Sequence, residues 1–411
     1  MDYKKKIVVW GIGKRSKYVF DSLLFDECEL VSCVDKIKKA ILTIHNTKYI
    51  VNDIETINEL VYDYLIISMV DIIEIENYAF KHNIDKSKII YFWHEDISKY
   101  SFLNVYPKKY CMLENKIKSY ELQINNAPYE YGKYIGPQIK SAKELLKLII
   151  NKNKSLCRFG DGEFEIMLGR EGSKFQKTSD FFAKKLLSVL KSDNPEVIVA
   201  IADNYGSLDK YTCDAATDIR NYLTEDVRQQ HMQLLDMNRT YYDAYVSRAY
   251  LMYKDKSHAG KIFQLYKEIF KGRNIIIAEG NYTRNGYNND LFDGAKTIKR
   301  IICPDYNCFE VYDEIYNAII NAANPEDLIL ITLGSTATVL AYDLACQGFQ
   351  AIDLGQLDNE YEWYLRKSQT KEAIPGKTVS DMNTDRHLDE IATDNDYNSQ
   401  IIMRIENRRL E

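Results

Sequence analysis

The sequence predicts an α/β protein built from two Rossmann-like parallel-sheet domains, and three observations carry that prediction. Short apolar runs alternate with longer amphipathic stretches, first over residues 1–100 and again from about residue 137, as strands joined by helical crossovers do. The strands of the second series end in polar or glycine-rich clusters, where open parallel sheets bind their ligands. The length, 411 residues, exceeds what one hydrophobic core usually organises.

In the first domain, residues 6–11, 30–35, 64–69 and 88–92 read as strands, and 16–25, 54–61 and 73–81 as helices. Residues 101–136 form a connector. Within it, 112–124 supports one polar helix, which Asn126-Ala127-Pro128 is expected to end because proline lacks an N–H and disfavours helical backbone just before it. The second domain occupies 137–380. Residues 141–151 have helical periodicity with Ser141 as N-cap, and 155–159, 197–201, 274–278, 299–303, 328–333 and 350–354 read as strands. Residues 381–411 are a polar tail whose apolar patch, 401–405, is expected to dock back.

Composition narrows the function. With 45% hydrophobic and 28% charged residues the chain is ordinary globular material, and its net charge of -6 argues against a nucleic-acid binder. A small anionic ligand needs only a few donors and stays open. Eight cysteines lie outside CxxC or zinc-ligand spacing, so free thiols and a cytoplasmic location are expected. The apolar stretch at 7–10 is too short for a signal sequence. Nowhere do about eighteen apolar residues run together, so no membrane span is expected. The 32 tyrosines accompany frequent Asn, Ile and Lys, a coding bias rather than a set of sugar-stacking platforms.

Several strand-end motifs carry potential chemistry. Gly11-Ile12-Gly13 sits between the first strand and helix, where glycines let a phosphate approach, and Asp35 ends the second strand where a ribose hydroxyl would be bound. The alternative is a tight turn with no nucleotide. Asp161-Gly162-Glu163 places two carboxylates two residues apart, able to face one side if the segment is an extended loop. Gly160 and Gly162 leave room for a metal–diphosphate, and hard cations such as Mn²⁺ or Mg²⁺ choose carboxylate oxygen. Arg158 either meets a phosphate or fixes a carboxylate. Alone, this segment reads better as a solvated acidic turn.

Gly280, Arg284, Asn289 and Asp290 concentrate hydrogen-bonding groups after another strand, although a capped surface loop would look similar. Gly334-Ser335-Thr336 opens a helix whose N-terminus suits an anion, with simple N-capping as the alternative. Residues 353–363 gather acids, amides and aromatics that suit a general base or a sugar-binding carboxylate, with a charged helix start as the alternative. Arg248, in an apolar setting, suits an anion contact or a structural ion pair.

Taken in order, CRFGDGEF from Cys157, VSRAY from Val246, EGNYTRNGYNNDLF from Glu279, LGSTATVLAYDLACQGFQAIDLG from Leu333 and DNEYEW from Asp358 resemble the GT-D fold glycosyltransferases, formerly domain of unknown function 1792. The resemblance covers roughly 137–375. It implies a GT-D type fold for the second domain and metal-dependent transfer of a hexose, glucose or galactose, from a UDP-sugar to a bacterial surface glycan or glycoprotein. It places the family's metal motif on Asp161 and Glu163, and its donor segments on Arg248, Gly280, Arg284, Asn289, Asp290, Gly334 and Thr336. The family pattern commonly has a histidine where this chain has Gln356, and glutamine is no base near neutral pH. Asp358 or Glu360 is therefore expected to take the catalytic role, or the activity is altered, with Gln356 as a sugar contact.

Residues 1–100 lie outside the resemblance. A nicotinamide-dependent nucleotide-sugar oxidoreductase or epimerase, acting through Gly11 and Gly13, is the alternative enzyme class. A non-catalytic docking module, within a homo-oligomer or a glycosylation complex, is the other.

Overall fold

The computed structural model describes residues 3–36, 41–70, 72–170, 176–379 and 395–406. The chain divides into two compact units between Glu121 and Leu122.

The first unit carries β1 (Lys5–Trp10), β2 (Cys28–Asp35), β3 (Ile41–Ile44), β4 (Thr47–Asp53), β5 (Tyr64–Ile67) and β6 (Ile89–Tyr91) in the order β3-β4-β2-β1-β5-β6. All neighbours are parallel except the β3–β4 hairpin. That hairpin turns through His45 and Asn46, both at positive φ, and the sequence reading misses it. Residues 54–61, expected to be an α-helix, form only a 3₁₀ turn over Ile54–Glu59, capped by the Asp53 carboxylate. Alternate β1 residues enter opposite faces, with Ile7 and Val9 in one apolar cluster and Val8 and Trp10 in the other.

The helix over Tyr106–Glu130 is twice as long as expected and runs through Pro128. Proline is tolerated there because it lies in the last turn, where Tyr131 and Gly132 close hydrogen bonds onto Ala127 and Pro128 carbonyls.

The second unit holds β7 (Gln138–Lys140), β8 (Ser155–Phe159), β9 (Val197–Ile201), β10 (Thr240–Asp243), β11 (Asn274–Gly280), β12 (Thr297–Cys303), β13 (Leu328–Thr332), β14 (Gln350–Asp353) and β15 (Ile401–Arg404). Among the described residues they form one parallel sheet, in the order β15-β12-β11-β13-β14-β8-β9-β10-β7. Central strands such as β9 and β13 are almost wholly apolar and buried, as parallel strands covered on both faces must be. One face packs Ile276, Ile329 and Ile331 against helices Asp180–Leu190, Tyr312–Ala322 and Ser335–Cys346. The other packs Ile275, Ile277 and Leu328 against Ala142–Lys152, Ala259–Phe270 and Leu357–Arg366.

Ser141 caps its helix as expected, with Glu144 reaching back to the Ser141 N–H in a capping box. The apolar patch near the C-terminus docks back as β15, beside β12. Tyr397, just before β15, donates to the buried Glu279 carboxylate, which also pairs with Arg300 at 2.6 Å.

Candidate functional site

Every strand from β8 to β14 delivers its carboxyl end to the same edge of the sheet. At the end of β8 the chain turns directly into a helix, Asp161–Met167. Asp161-Gly162-Glu163 is therefore its first turn and not an extended loop. Residues two apart on a helix point roughly 200° apart, so the two carboxylates diverge. Asp161 is exposed, one oxygen accepting from the Gly162 N–H at 3.0 Å. Glu163 folds back: Oε2 accepts from the Gly160 N–H at 2.7 Å, and Oε1 accepts from the Ser335 hydroxyl. Burial raises the Glu163 pKa above the usual carboxylate value, against the lowering effect of both hydrogen bonds. The bond to Ser335 brings the start of the Ser335–Cys346 helix beside the acidic turn. Gly334 precedes it at φ 56°, ψ −143°, a backbone region open essentially to glycine. Thr336 points inward, its hydroxyl donating to Gln176 at 3.1 Å.

A cleft of about 470 Å³ opens beside Asp161. Its other walls include Glu165, Arg170, Tyr222 and Thr224. Glu165 lies one helical turn beyond Asp161, and so shares its side of the helix. It pairs with Arg170 at 3.1 Å and accepts from the Tyr222 hydroxyl. Tyr222 is held in turn by His231, whose ring nitrogens bridge the hydroxyls of Tyr205 and Tyr222 at 2.8 and 3.0 Å while its ring stacks on Phe164. Burial pushes the His231 pKa down to about 3, keeping the ring neutral. None of Glu165, Arg170, Tyr222 or His231 stood out in the sequence. A carboxylate four residues after Asp161 was the one available signal.

Arg158 fixes a carboxylate rather than awaiting a phosphate. Its guanidinium pairs with Asp353 at the end of β14, at 2.8 Å, and donates to the Asp353 carbonyl and the Ser247 hydroxyl. It lies against Gly355, where any Cβ would collide with it. Of the two roles the sequence leaves open for Arg158 this is the second, with Asp353 as the carboxylate, and through it Arg158 ties β8 to β14 and to the turn before Arg248.

The second group of expected residues assembles into a buried ion network. Asn289 donates to Asp358 and Glu362, both at 2.8 Å, and Lys377 pairs with the same two carboxylates at 2.6 and 3.1 Å. Asp358 also accepts from the Gly286 N–H. Arg284, at φ 47°, donates to the Gly376 carbonyl, so the 284–290 loop and the segment around Lys377 are strapped to the helix Leu357–Arg366. Asp290 takes Lys267 and the Tyr361 hydroxyl, both at 2.6 Å. Gly280 sits under Asp305 and Thr283, where a Cβ would crowd both side chains.

Glu360 is buried and accepts from the Tyr250 and Leu251 N–H groups, fixing the chain just after the half-buried Arg248. Burial raises its pKa, with the nearby Arg248 opposing. Asp358 and Glu360 were expected to supply the acceptor base. Asp358 instead has both oxygens engaged, by Asn289, the Gly286 N–H and Lys377, and Glu360 has Oε2 engaged by two backbone N–H groups, which ties both residues into the packing around them. Gln356 lies at the start of the same helix, its carbonyl accepting from the Glu360 N–H.

Another carboxylate at the strand ends is poised to titrate. Asp243, ending β10, is pushed up to about 7 by burial and then by the neighbouring charge of Asp203. Its folded pKa lies above the ordinary 3.8, so its protonated form favours the fold fully below about pH 4 and that contribution is lost as pH rises through 7. Asp243→Asn keeps the acceptor for the Tyr245 N–H. It should raise the melting temperature by several degrees at pH 8 and leave it unchanged near pH 4. A parallel rise at both pH values would show that Asp243 does not titrate in this window.

In the first unit, Asp35 spends both oxygens on backbone, accepting from the Ile12 and Lys36 N–H groups at 2.8 and 2.7 Å. Gly11, at φ 95°, packs where a Cβ would meet the Ser68 hydroxyl, whereas Gly13 has open space. The loop is thus closed on its own carboxylate. This favours the tight turn over a dinucleotide site.

Fold and site together define an α/β enzyme whose cleft lies beyond the carboxyl ends of a parallel sheet. The profile described as Glycosyltransferase GT-D fold matches residues 156–382, more than half the chain, and the chain belongs to this family. Its second unit is a glycosyltransferase domain. A second profile, C2185-like N-terminal, matches residues 3–90. A probable glycosyl transferase, Gly, of Streptococcus gordonii is 32% identical over 267 residues, 64% of this chain and 38% of the relative. The glycosyltransferase GlyD of Streptococcus pneumoniae serotype 4 is 35% identical over 271 residues, 66% of this chain and 33% of the relative. The chain thus spans a third or slightly more of the length of these curated relatives. The solved structure of a domain of unknown function 1792 with a distinct glycosyltransferase fold superposes with TM-score 0.61 at 33% identity, covering 66% of this chain and 96% of that one. A domain of unknown function 1792 glycosyltransferase from Streptococcus sanguinis gives TM-score 0.62 at 31% identity, covering 66% and 100%.

A divalent metal fits the residues present. A hard cation at a diphosphate needs one or two carboxylates and takes its other ligands from phosphate and water. The exposed Asp161 carboxylate offers such a ligand at the cleft, whereas Glu163, expected from the sequence as a second ligand, points away and spends both oxygens on the Gly160 N–H and the Ser335 hydroxyl. Among the described residues no group of three or more His, Cys, Asp or Glu gathers to hold a metal unaided.

Proposed function

We propose that the second unit transfers a hexose, glucose or galactose, from a UDP-sugar to a bacterial surface glycan or glycoprotein, in the cytoplasm, with Mn²⁺ or Mg²⁺ held at the Asp161 carboxylate and Glu163 positioning the turn that carries it. The observation that carries this reading is the exposed Asp161 carboxylate, at a strand end and beside the cleft. When bound, the metal neutralises charge developing on the departing UDP. Asp161 presents the ligand oxygen. Glu163 holds the turn closed through Gly160 and Ser335, and so sets the direction in which Asp161 points. Arg170 supplies a partly exposed cation in the cleft, and Tyr222 a wall braced by His231. Arg158 acts at one remove, locking β8 against β14. The first unit, with its closed glycine loop, is read as a docking module and not as an oxidoreductase. Among the described residues no helix is long and apolar enough to cross a membrane.

Thermal melts of the full chain with UDP-, GDP- and dTDP-sugars, with and without Mn²⁺, test the donor. A ligand at about 100 times its Kd stabilises by roughly 2.7 kcal/mol, which corresponds to about 5–10 °C for a domain of this size. That shift is expected for UDP-sugars with Mn²⁺ alone. Equal shifts without metal, or with GDP-sugars, would sink the assignment.

A further inference from the structure

The helix Tyr106–Glu130 carries a feature that glycosyl transfer does not use. Tyr106, Tyr110, Leu113, Ile117, Tyr120 and Ile124 follow one another at spacings of four, three, four, three and four residues. That is the a/d repeat of a coiled coil, with Tyr110, Ile117 and Ile124 at a and Tyr106, Leu113 and Tyr120 at d. All six are between 49% and 72% exposed. The buried positions of this helix, Cys111, Asn126 and Glu130, fall at b, c and g, off the a and d positions, so the apolar seam is turned to solvent.

We propose that this helix pairs with the same helix of a second copy of the chain, as a parallel two-stranded coiled coil. Three features choose that occupant. The seam places β-branched Ile117 and Ile124 at a and Leu113 at d, the combination that favours two parallel strands. The flanking charges are self-complementary: Lys109 and Lys116 occupy g, and Glu114 and Glu121 occupy e. In a parallel pair each g residue faces the e residue five positions later in the partner, so Lys109 meets Glu114 and Lys116 meets Glu121. An antiparallel pair would set lysine against lysine and glutamate against glutamate. Finally, six apolar side chains from each helix would cover on the order of 1,000 Å² in total, about the least that a biological interface needs and the size of a weak dimer. Glu114 already accepts from the Tyr18 hydroxyl at 2.6 Å; its side chain remains exposed. Lys116 and Glu121 are therefore the cleaner pair to test.

Sedimentation velocity on the full chain between about 1 and 100 µM should show a monomer–dimer equilibrium. Ile117→Asp should raise the dissociation constant at least 100-fold, with circular dichroism unchanged because the site is exposed. Lys116→Glu and Glu121→Lys should each weaken the dimer about tenfold, and the double variant should restore it. Ile124→Cys should form an intermolecular disulfide beyond the background of the unsubstituted chain, because only the parallel pairing brings position 124 against itself. A chain that stays monomeric at 100 µM overturns the proposal, as does a dimer indifferent to Ile117→Asp. Restoration absent from the double charge variant overturns the parallel register.

Discussion

Asp161→Ala is expected to cut metal-dependent UDP release at least roughly 100-fold, the scale set by losing one well-placed electrostatic contribution to a transition state, while the thermal melt stays where it is. The stability half of that expectation comes from the local geometry. The exposed Asp161 side chain has as its local bond the one from the adjacent Gly162 N–H, so its removal leaves nothing buried unpaired. Glu163 behaves differently. Glu163→Ala removes the acceptor for Gly160 and the link to Ser335, costing about 1 kcal/mol in the manner of a lost helix cap as well as activity. Glu163→Gln keeps an acceptor for Gly160 and a donor for Ser335, so it should retain the turn and with it most of the activity and the melting temperature. Initial rates of UDP release across a Mn²⁺ titration, with melts on the same samples, separate the two. Wild-type rates in Asp161→Ala would end the metal assignment.

The largest stability effect is expected from Lys377→Met. The Lys377 side chain is wholly buried, and its partners Asp358 and Glu362 are 4% and 6% exposed. Removing one member of a buried ion pair leaves charge with no compensation, at a cost of about 3–5 kcal/mol, or roughly 10 °C or more in melting temperature. Asn289 then bridges the two carboxylates without a cation between them, Arg366 at 3.3 Å compensating Glu362 and leaving Asp358 with the Gly286 N–H. Adding Asp358→Asn removes one of the stranded charges, so the double variant should melt higher than Lys377→Met alone, a coupling that residues sharing one network must show. A drop below about 1 kcal/mol, the scale of exposed pairs, would mean that water reaches the network. Because Arg284 and Lys377 fasten the same segment, loss of Lys377 should also loosen the 284–290 loop, read as increased proteolysis there.

What could be read from the sequence follows a physical divide. Strands buried on both faces, such as β9 and β13, must be apolar throughout, and their runs mark them without any tertiary knowledge. The β3–β4 hairpin, the edge strand β7 and the short strand β10 beside it escaped, because exposed or short strands are ordered by hydrogen bonds to a neighbour and need no apolar run of their own. The Pro128 turn was misjudged for a related reason: a proline in a last helical turn forfeits little, and where that turn falls depends on the packing around it.

The acidic turn itself, the glycines around it and the order of the strand-end motifs were set by the sequence, and with them the family and the fold. Which polar residues serve a ligand and which serve each other was decided only in three dimensions. Arg158 and Asp353 are 195 residues apart, and Asp358 and Asn289 are 69 apart, yet each pair closes within 2.8 Å. An arginine that pairs with a buried aspartate and one that awaits a phosphate are the same letter in the same kind of motif. Burial separates them, because a charge removed from water must find its partner within the protein. Asp161, left at the surface beside the cleft, is the carboxylate of that turn which the fold did not spend on itself.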